Sequence, residues 1–169
     1  TEDYGNDIKV DATGAVLIVG STNSTNFIAS STAYQPTYGG ASGCGQSCIG
    51  QWSSGALDFG NYGVGDIFLA KFSDTGTLFW GTYYGGSECE SGSSLALDRL
   101  GNAYLISTTN SSSNLYTSTN AYQLGNNGDC ETFIAKFLSN GTRDWATFYG
   151  GESADYGIDI VVDNALNVF

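Results

Sequence analysis

The chain contains no histidine, and only five of its 169 residues are lysine or arginine. Without histidine, these residues cannot form Ser-His-Asp or Cys-His catalytic arrangements, or a mixed Cys/His zinc site. Seventeen aspartates and glutamates give a formal net charge of −12. Such a surface repels both the phosphate backbone of nucleic acids and anionic lipid headgroups. We therefore expect no nucleic-acid partner, and solubility is the simplest role of the acidic surface.

Long apolar runs are also missing. No stretch of about 18 apolar residues occurs, so we expect no membrane insertion. Apolar residues rarely recur at helical spacing for more than one turn. The chain instead has 24 glycines, one proline, 11 tyrosines and 9 phenylalanines. Glycine supplies turns and aromatic residues favour pleated surfaces, so this composition predicts an all-β protein with many short strands.

The most informative feature of the sequence is an internal repeat. A Phe-x-Ala-Lys-Phe block, a tryptophan and a Tyr-Gly-Gly block each recur at a spacing of 65 residues. The first copy is longer by about 22 residues, which lie in an insertion at about 36–65. The sequence therefore predicts one repeat over 1–86, a second over 87–151, and the start of a third over 152–169. The paired blocks are Phe68–Phe72 and Phe133–Phe137, Trp80 and Trp145, and Tyr84–Gly86 and Tyr149–Gly151.

Each repeat holds four candidate strands. In the first copy they are about 5–11, 15–21, 66–72 and 77–84, with side chains that alternate at period two. Asp-Thr-Gly at 74–76 and Asn-Gly at 140–141 indicate hairpin turns. Four antiparallel strands per repeat are typical of a β-propeller blade, with a β-solenoid as the alternative. Because a closed propeller needs more blades, we expect the remaining ones to come from the same parent chain or from neighbouring subunits.

These blocks resemble the SBBP repeat of bacterial surface and secreted proteins. The third-strand block matches well in both copies, as Asp66–Phe72 and Glu131–Phe137. The departures are the long insertion and Leu166, which stands where a turn glycine is expected. The resemblance implies a β-propeller and a secreted or cell-surface location in a bacterium. It implies no particular activity.

The four cysteines are Cys44, Cys48, Cys89 and Cys130. Only one close pair exists, so disulfides in an oxidising compartment fit better than a four-thiolate zinc site. Three pairings are possible. In a blade, the junction to the next blade and the loop between the second and third strands lie on one face, which brings Cys89 near Cys130. We therefore favour the pairs Cys89–Cys130 and Cys44–Cys48.

The same loop face carries the candidate binding residues. Aromatic side chains beside Asn and Asp suit the recognition of a protein or a glycan surface ligand. The alternative is that these aromatic residues pack their loop onto its own blade. The recurring Trp80 and Trp145 favour blade packing. The candidates are Tyr38, Trp52, Asp58, Tyr62, Tyr122 and Asp129.

Three aspartates, Asp11, Asp98 and Asp163, recur before the turn between the first two strands, and we call them the turn aspartates. Capping of that turn is the favoured interpretation, and calcium binding is the alternative. We expect no other cofactor, no metal site and no catalytic residue. The function we expect is a binding, adhesion or structural scaffold module of a larger bacterial surface protein or filament. The alternative is part of an extracellular carbohydrate-active hydrolytic propeller, with two carboxyl groups about 5–9.5 Å apart near the central channel.

Overall fold

The computed structural model describes residues 3–40, 65–112 and 117–169. Eight strands follow one another in this part of the chain, which contains no helix, so the predicted all-β class is confirmed. No helix there is long and apolar enough to cross a membrane. The strands are β1 Asp3–Val10, β2 Val16–Thr22, β3 Asp66–Phe72, β4 Leu78–Tyr84, β5 Glu90–Leu97, β6 Ala103–Thr109, β7 Glu131–Phe137 and β8 Arg143–Tyr149.

The strands form two four-stranded antiparallel sheets with the orders β1-β2-β3-β4 and β5-β6-β7-β8. Both sheets are therefore meanders in which each strand pairs with its neighbour in sequence. Their irregularities also correspond: the first strand shifts register between Gly5 and Asp7 in one sheet and between Gly92 and Ser94 in the other. A bulge at the same position in each copy indicates that the repeats fold as equivalent units.

Short turns join the first two strands of each copy in the same way. Gly14 and Gly101 have φ angles of +85° and +75°, which an L side chain adopts only with strain. In the third copy this position holds Leu166, with a φ angle of +68°. The sequence departure at Leu166 therefore leaves the turn conformation intact and strains the backbone there.

The core lies between the two sheets. One face of the first sheet packs against one face of the second, and the side chains that meet there are almost all fully buried. The indole nitrogen of Trp80 donates a hydrogen bond to the Ser139 carbonyl at 3.1 Å, which ties the first sheet to the last hairpin of the second. This contact agrees with the predicted blade-packing role of Trp80. The main core residues are Leu17, Val19, Ile67, Leu69 and Tyr84 on one side and Leu95, Leu105, Phe133, Phe137 and Phe148 on the other.

The two sheets are not parallel layers. The first strands β1 and β5 approach each other closely, as do β2 and β5, whereas β4 and β8 have no comparable contact. Sheets that converge at their first strands and diverge at their last ones are wedges around an axis, which is the arrangement of propeller blades. The axis therefore runs beside β1 and β5.

Residues 152–169 begin the third copy and lie on the free face of the second sheet. Ile160 is buried there against Ala96 and Tyr104. Val162 and Val168 form an isolated antiparallel bridge, in the place where the first two strands of a third sheet would start to pair. The third copy thus repeats the packing direction seen between the first two sheets.

Candidate functional site

Of the predicted binding residues on the loop face, Tyr38 is packed against its own blade and Asp129 is exposed. Trp52, Asp58 and Tyr62 lie outside the described residues, whereas Tyr38 and Asp129 lie within them. The Tyr38 ring stands edge-on to Tyr83, with 6.0 Å between ring centroids. Its hydroxyl is buried without a hydrogen-bond partner in the described part of the chain. Tyr38 therefore packs onto its own blade, which is the alternative that the sequence left open, while Asp129 is exposed.

The other described candidate, Tyr122, is 83% exposed and stacks on Tyr149, which is 60% exposed. Their ring centroids are 5.9 Å apart. The same pair in the first blade is Tyr34 and Tyr84, since Tyr34 and Tyr122 are the middle residues of the two Ala-Tyr-Gln blocks and Tyr84 precedes Tyr149 by 65 residues. Tyr84 is 1% exposed there, because the second sheet covers it. The exposed Tyr122–Tyr149 pair is thus the uncovered counterpart of the buried junction at Tyr84.

Close to the axis, two carboxylates meet at one hydroxyl. Ser94 Oγ lies 2.6 Å from Asp159 Oδ1 and 3.2 Å from Asp7 Oδ2, so these two carboxylate oxygens are at most 5.8 Å apart. Asp7 also accepts the Leu95 backbone N–H at 3.0 Å and forms an ion pair with Lys9 at 2.6 Å. We call Asp7, Ser94 and Asp159 the axial cluster. It occupies the same position of the first strand in three successive copies, and it joins each blade to the next.

The electrostatics of the axial cluster do not suit acid–base chemistry. Burial alone would raise the pKa of Asp7, but hydrogen bonds from Lys9, Leu95 and Ile8 outweigh it and the pKa is lowered. The Ser94 hydroxyl and the Ile160 N–H lower the pKa of Asp159. A hydrolase with two carboxyl groups needs one group with a raised pKa to protonate the leaving oxygen. Both axial carboxyl groups are shifted the opposite way, towards permanent ionisation.

The turn aspartates cap their turns, as predicted. Asp11 Oδ1 accepts backbone N–H groups of residues 13 and 15, at 2.8 and 3.1 Å. Asp98 and Asp163 accept the corresponding pairs of N–H groups in their own turns. Burial by itself would raise the pKa of Asp11 and of Asp98, but the hydrogen bonds outweigh it and the pKa of each is lowered. The pKa of Asp163 is lowered mainly by its hydrogen bonds from Asn167. No group of three or more His, Cys, Asp and Glu side chains in the described ranges is arranged to hold a metal.

The sequence reasoning missed a pair of buried carboxyl groups on the loop face. Asp66 opens β3 and Glu90 opens β5, and both are 0% exposed. Burial raises the pKa of Asp66 to about 6 and that of Glu90 to about 8, and the charge of Asp66 raises the latter further. Burial raises the pKa of Tyr38 to about 12, and the negative charges of Asp66 and Glu90 add to this shift.

The available signal was the repeat itself. Asp66 corresponds to Glu131 and Glu90 to Asp155 at the spacing of 65 residues, so both positions are acidic in each copy. A shared glutamine also marks the arrangement. Gln35 donates to Asp66 at 3.0 Å and accepts from the N–H of residue 85 at 3.1 Å. Gln123 makes the equivalent pair of bonds in the second copy.

The described cysteines lie beside these acids. Cys89 and Cys130 directly precede Glu90 and Glu131, which pair with the same β6 residue, Thr109, from either side. Both cysteines are buried, and neither is a free thiol. The predicted proximity of Cys89 and Cys130 on one face is thus consistent with the register. Cys44 and Cys48 lie outside the described residues.

Equivalent four-stranded meanders that pack face to face around an axis define this chain as a run of β-propeller blades. Residues 80–116 match the family model of the SBBP beta-propeller repeat. The matched segment begins at Trp80 in the last strand of the first sheet and continues into the first strands of the second. The expected SBBP-type repeat is therefore present in this part of the chain. No curated protein is similar enough to the chain to count as a match.

Proposed function

We propose that the chain is a binding or structural scaffold segment of a larger secreted or cell-surface protein of bacterial type. The observation that carries this proposal is the exposed apolar face of the first sheet. Ile8 and Val10 are 58% and 62% exposed. Their counterparts in the second sheet, Leu95 and Leu97, pack into the core between the sheets. An exposed strip made of core positions indicates that a further blade belongs on that face.

The contacts of the axial carboxylates between blades also support a scaffold role. Asp7 accepts the Leu95 N–H of the next blade, and Asp159 accepts the Ser94 hydroxyl of the preceding one, so both ionised carboxylates stabilise blade stacking. The cysteines fit the same setting, because disulfides persist in oxidising compartments. We propose that Cys89 and Cys130 form a disulfide bond that stabilises the loop face of the second blade. Residues of the insertion at 36–65 that differ from the second copy are the proposed contacts to a protein or glycan ligand.

The proposal is tested by the association state of the 169-residue chain. We expect concentration-dependent self-association in analytical ultracentrifugation, because apolar blade faces are open at both ends. Replacing Ile8 and Val10 together by lysine should shift the chain towards the monomer, while the charge-matched double variant Thr75→Lys and Thr142→Lys on exposed turns should not. A chain that stays monomeric at all concentrations would contradict the idea that these faces await further blades.

The surface location needs its own experiment. Protease treatment of intact source cells should cleave the parent protein if it is displayed outside. The binding role is then tested by screening the parent protein against glycan arrays and isolated cell envelopes. Protection of the parent protein until the cells are lysed would reject the surface location. Release of sugars from polysaccharides would favour the hydrolytic alternative.

A further inference from the structure

In the described part of the chain, neither Asp66 nor Glu90 forms an ion pair with a lysine or an arginine. The three ion pairs in the described part of the chain use other acids, namely Asp7, Asp11 and Asp144. Residues 41–64 contain no lysine or arginine, so the insertion cannot supply one. Two carboxyl groups buried side by side can both be ionised only at a cost of several kcal/mol unless a positive charge balances them, which agrees with their raised pKa values. The chain has five basic residues, and the three lysines, Lys9, Lys71 and Lys136, form those ion pairs. The guanidinium carbon of Arg143 lies 4.9 Å from the centre of the Tyr34 ring. Arg99 lies in the turn after β5.

The two carboxyl groups face a common gap beside Gly85. A side-chain carbon placed on Gly85 would lie 2.6 Å from Asp66 Oδ1 and 2.6 Å from Glu90 Oε2. The two oxygens are therefore at most 5.2 Å apart, which is twice that distance. Three of the four carboxylate oxygens already accept a hydrogen bond: Asp66 Oδ2 from the Gly39 N–H at 2.7 Å, Glu90 Oε1 from the Thr109 hydroxyl at 2.7 Å, and Glu90 Oε2 from the Gly86 N–H at 3.0 Å. Among the described residues, no group makes a hydrogen bond to the buried Asp66 Oδ1.

The carbonyl oxygens of Gly85 and Gly86, on the connection between the two blades, lie close to Gly39 in the facing loop. A side-chain carbon on Gly39 would lie 3.0 Å from the Gly85 carbonyl oxygen and 3.3 Å from Asp66 Oδ1, and closer still to the Gly86 carbonyl oxygen. Two carboxylates and two carbonyl groups are an all-oxygen set. Ca²⁺ takes such ligands at about 2.3–2.6 Å, so two carboxylate oxygens that bind one calcium ion lie at most about 5.2 Å apart. The upper limit derived above for the distance between Asp66 Oδ1 and Glu90 Oε2 is compatible with this arrangement.

We propose that Asp66 and Glu90 bind one Ca²⁺ at the junction between the two blades, with the carbonyl groups of Gly85 and Gly86 completing its protein ligands. The ion would balance both buried carboxylates and give Asp66 Oδ1 a partner. It would also join the end of the first blade to the start of the second. This site is distinct from the turn aspartates, whose oxygens already hold the N–H groups of their turns.

The next junction shows why the site is not a general property of every copy. Glu131 replaces Asp66 there, and both of its carboxylate oxygens accept hydrogen bonds, from Gln123 at 2.5 Å and from the Asn127 N–H at 3.2 Å. Its neighbour Asp155 is partly exposed to solvent. Because both oxygens of Glu131 accept hydrogen bonds and Asp155 is in contact with solvent, this junction needs no ion. Glu131 is therefore a matched control for Asp66, at the same position of the repeat.

The test uses the full 169-residue chain after removal of metal with EGTA. Isothermal titration calorimetry should show saturable binding of about one Ca²⁺ per chain, and thermal melts should shift upwards with added Ca²⁺. Mg²⁺ should bind at least about tenfold more weakly, because it demands octahedral ligands at about 2.0–2.1 Å. Asp66→Asn should weaken Ca²⁺ binding by at least about tenfold, since a neutral amide replaces one of only two charged ligands. Glu131→Gln should leave the affinity unchanged.

Two further measurements keep the test independent of a single variant. Glu90→Gln should give the same loss as Asp66→Asn, and it retains an oxygen that can accept the Thr109 hydroxyl. In the wild-type chain, Tb³⁺ bound at the site should luminesce on tyrosine excitation, because the Tyr38 hydroxyl is close to both carboxyl groups, and Ca²⁺ should displace it. The absence of saturable Ca²⁺ binding to the wild-type chain overturns the proposal. Equal affinity in wild type and both site variants does so too, as does an equal loss in Glu131→Gln.

Discussion

Removal of the Tyr84 ring should lower the free energy of unfolding much more than removal of the equivalent Tyr149 ring. Tyr84 is 1% exposed, and its ring centroid lies 5.3 Å from that of Phe133 and 5.4 Å from that of Phe137, both in the second sheet. Tyr149 occupies the same strand position 65 residues later but is 60% exposed. The pair Tyr84→Ala and Tyr149→Ala therefore applies one chemical change to a covered and an open copy of the same junction.

The magnitudes follow from burial. Truncation of a fully buried aromatic side chain to alanine costs about 3–5 kcal/mol, from lost transfer free energy and the cavity left behind. Tyr84→Ala should fall in this range. Tyr149→Ala removes a ring that is mostly in water and meets one neighbouring ring, so its cost should stay below about 1 kcal/mol.

Urea denaturation followed by circular dichroism and by tryptophan fluorescence measures both costs. With a urea m-value of about 2 kcal/mol per molar, Tyr84→Ala should lower the unfolding midpoint by about 1.5–2.5 M and Tyr149→Ala by less than about 0.5 M. Coincident transitions by the two probes would support two-state analysis of the free energies. A longer chain with a complete third blade should make the Tyr149 substitution as costly as the Tyr84 one.

Similar losses for both substitutions would refute the reasoning, because they would mean that the second sheet does not cover Tyr84. A small loss at Tyr84 with two separate transitions would be equally damaging, since it would mean that the sheets unfold independently of their shared core.

Three other changes test local features. Leu166→Gly should stabilise the chain by about 1 kcal/mol in thermal melts, because it relieves a left-handed leucine, and a neutral or harmful effect would contradict that strain. Acidification from pH 5 to pH 2 should progressively lower the melting temperature. The turn aspartates have pKa values in the folded chain below their ordinary values. Their contribution is present above about pH 4 and is lost as the pH falls through the folded pKa values, so a flat profile would argue against it. Reduction of a Cys89–Cys130 disulfide should cost about 2–4 kcal/mol of unfolding free energy, and peptide mapping that links other cysteines would reject this pairing.

The repeat spacing predicts much of the fold without any structure. The third strand runs over Asp66–Phe72 as predicted, and the other strands of the first copy begin and end within two residues of the prediction. This success has a physical reason, since each strand alternates at period two and ends at a glycine or Asx turn that only one register satisfies. Leu166 shows the strength of that signal: the turn aspartate and its hydrogen bonds impose the turn even without the glycine.

The candidate site was much less predictable. The aromatic composition of the loop face suggests a ligand surface, yet the Tyr38 hydroxyl points into the protein and Tyr122 belongs to a blade junction. Neither outcome can be obtained from the local sequence, because each depends on what the neighbouring copy covers. The gap between Asp66 and Glu90 was missed for the same reason. It forms where a loop of one blade meets the connection to the next, between residues that are far apart along the chain.

Recurrence therefore separates packing from recognition in this protein. A side chain that is exposed in one copy and buried in another, as with Tyr149 and Tyr84, owes its exposure to an open end of the blade stack. A residue of this kind would be buried by a further blade, so its exposure alone does not argue for a ligand surface. Selective binding has to depend on positions at which the copies differ. The insertion at about 36–65 has no counterpart of similar length in the second copy, and the proposed ion lies beside its two ends, at Gly39 and Asp66. A calcium ion there would fix the base of the one loop that distinguishes the first blade.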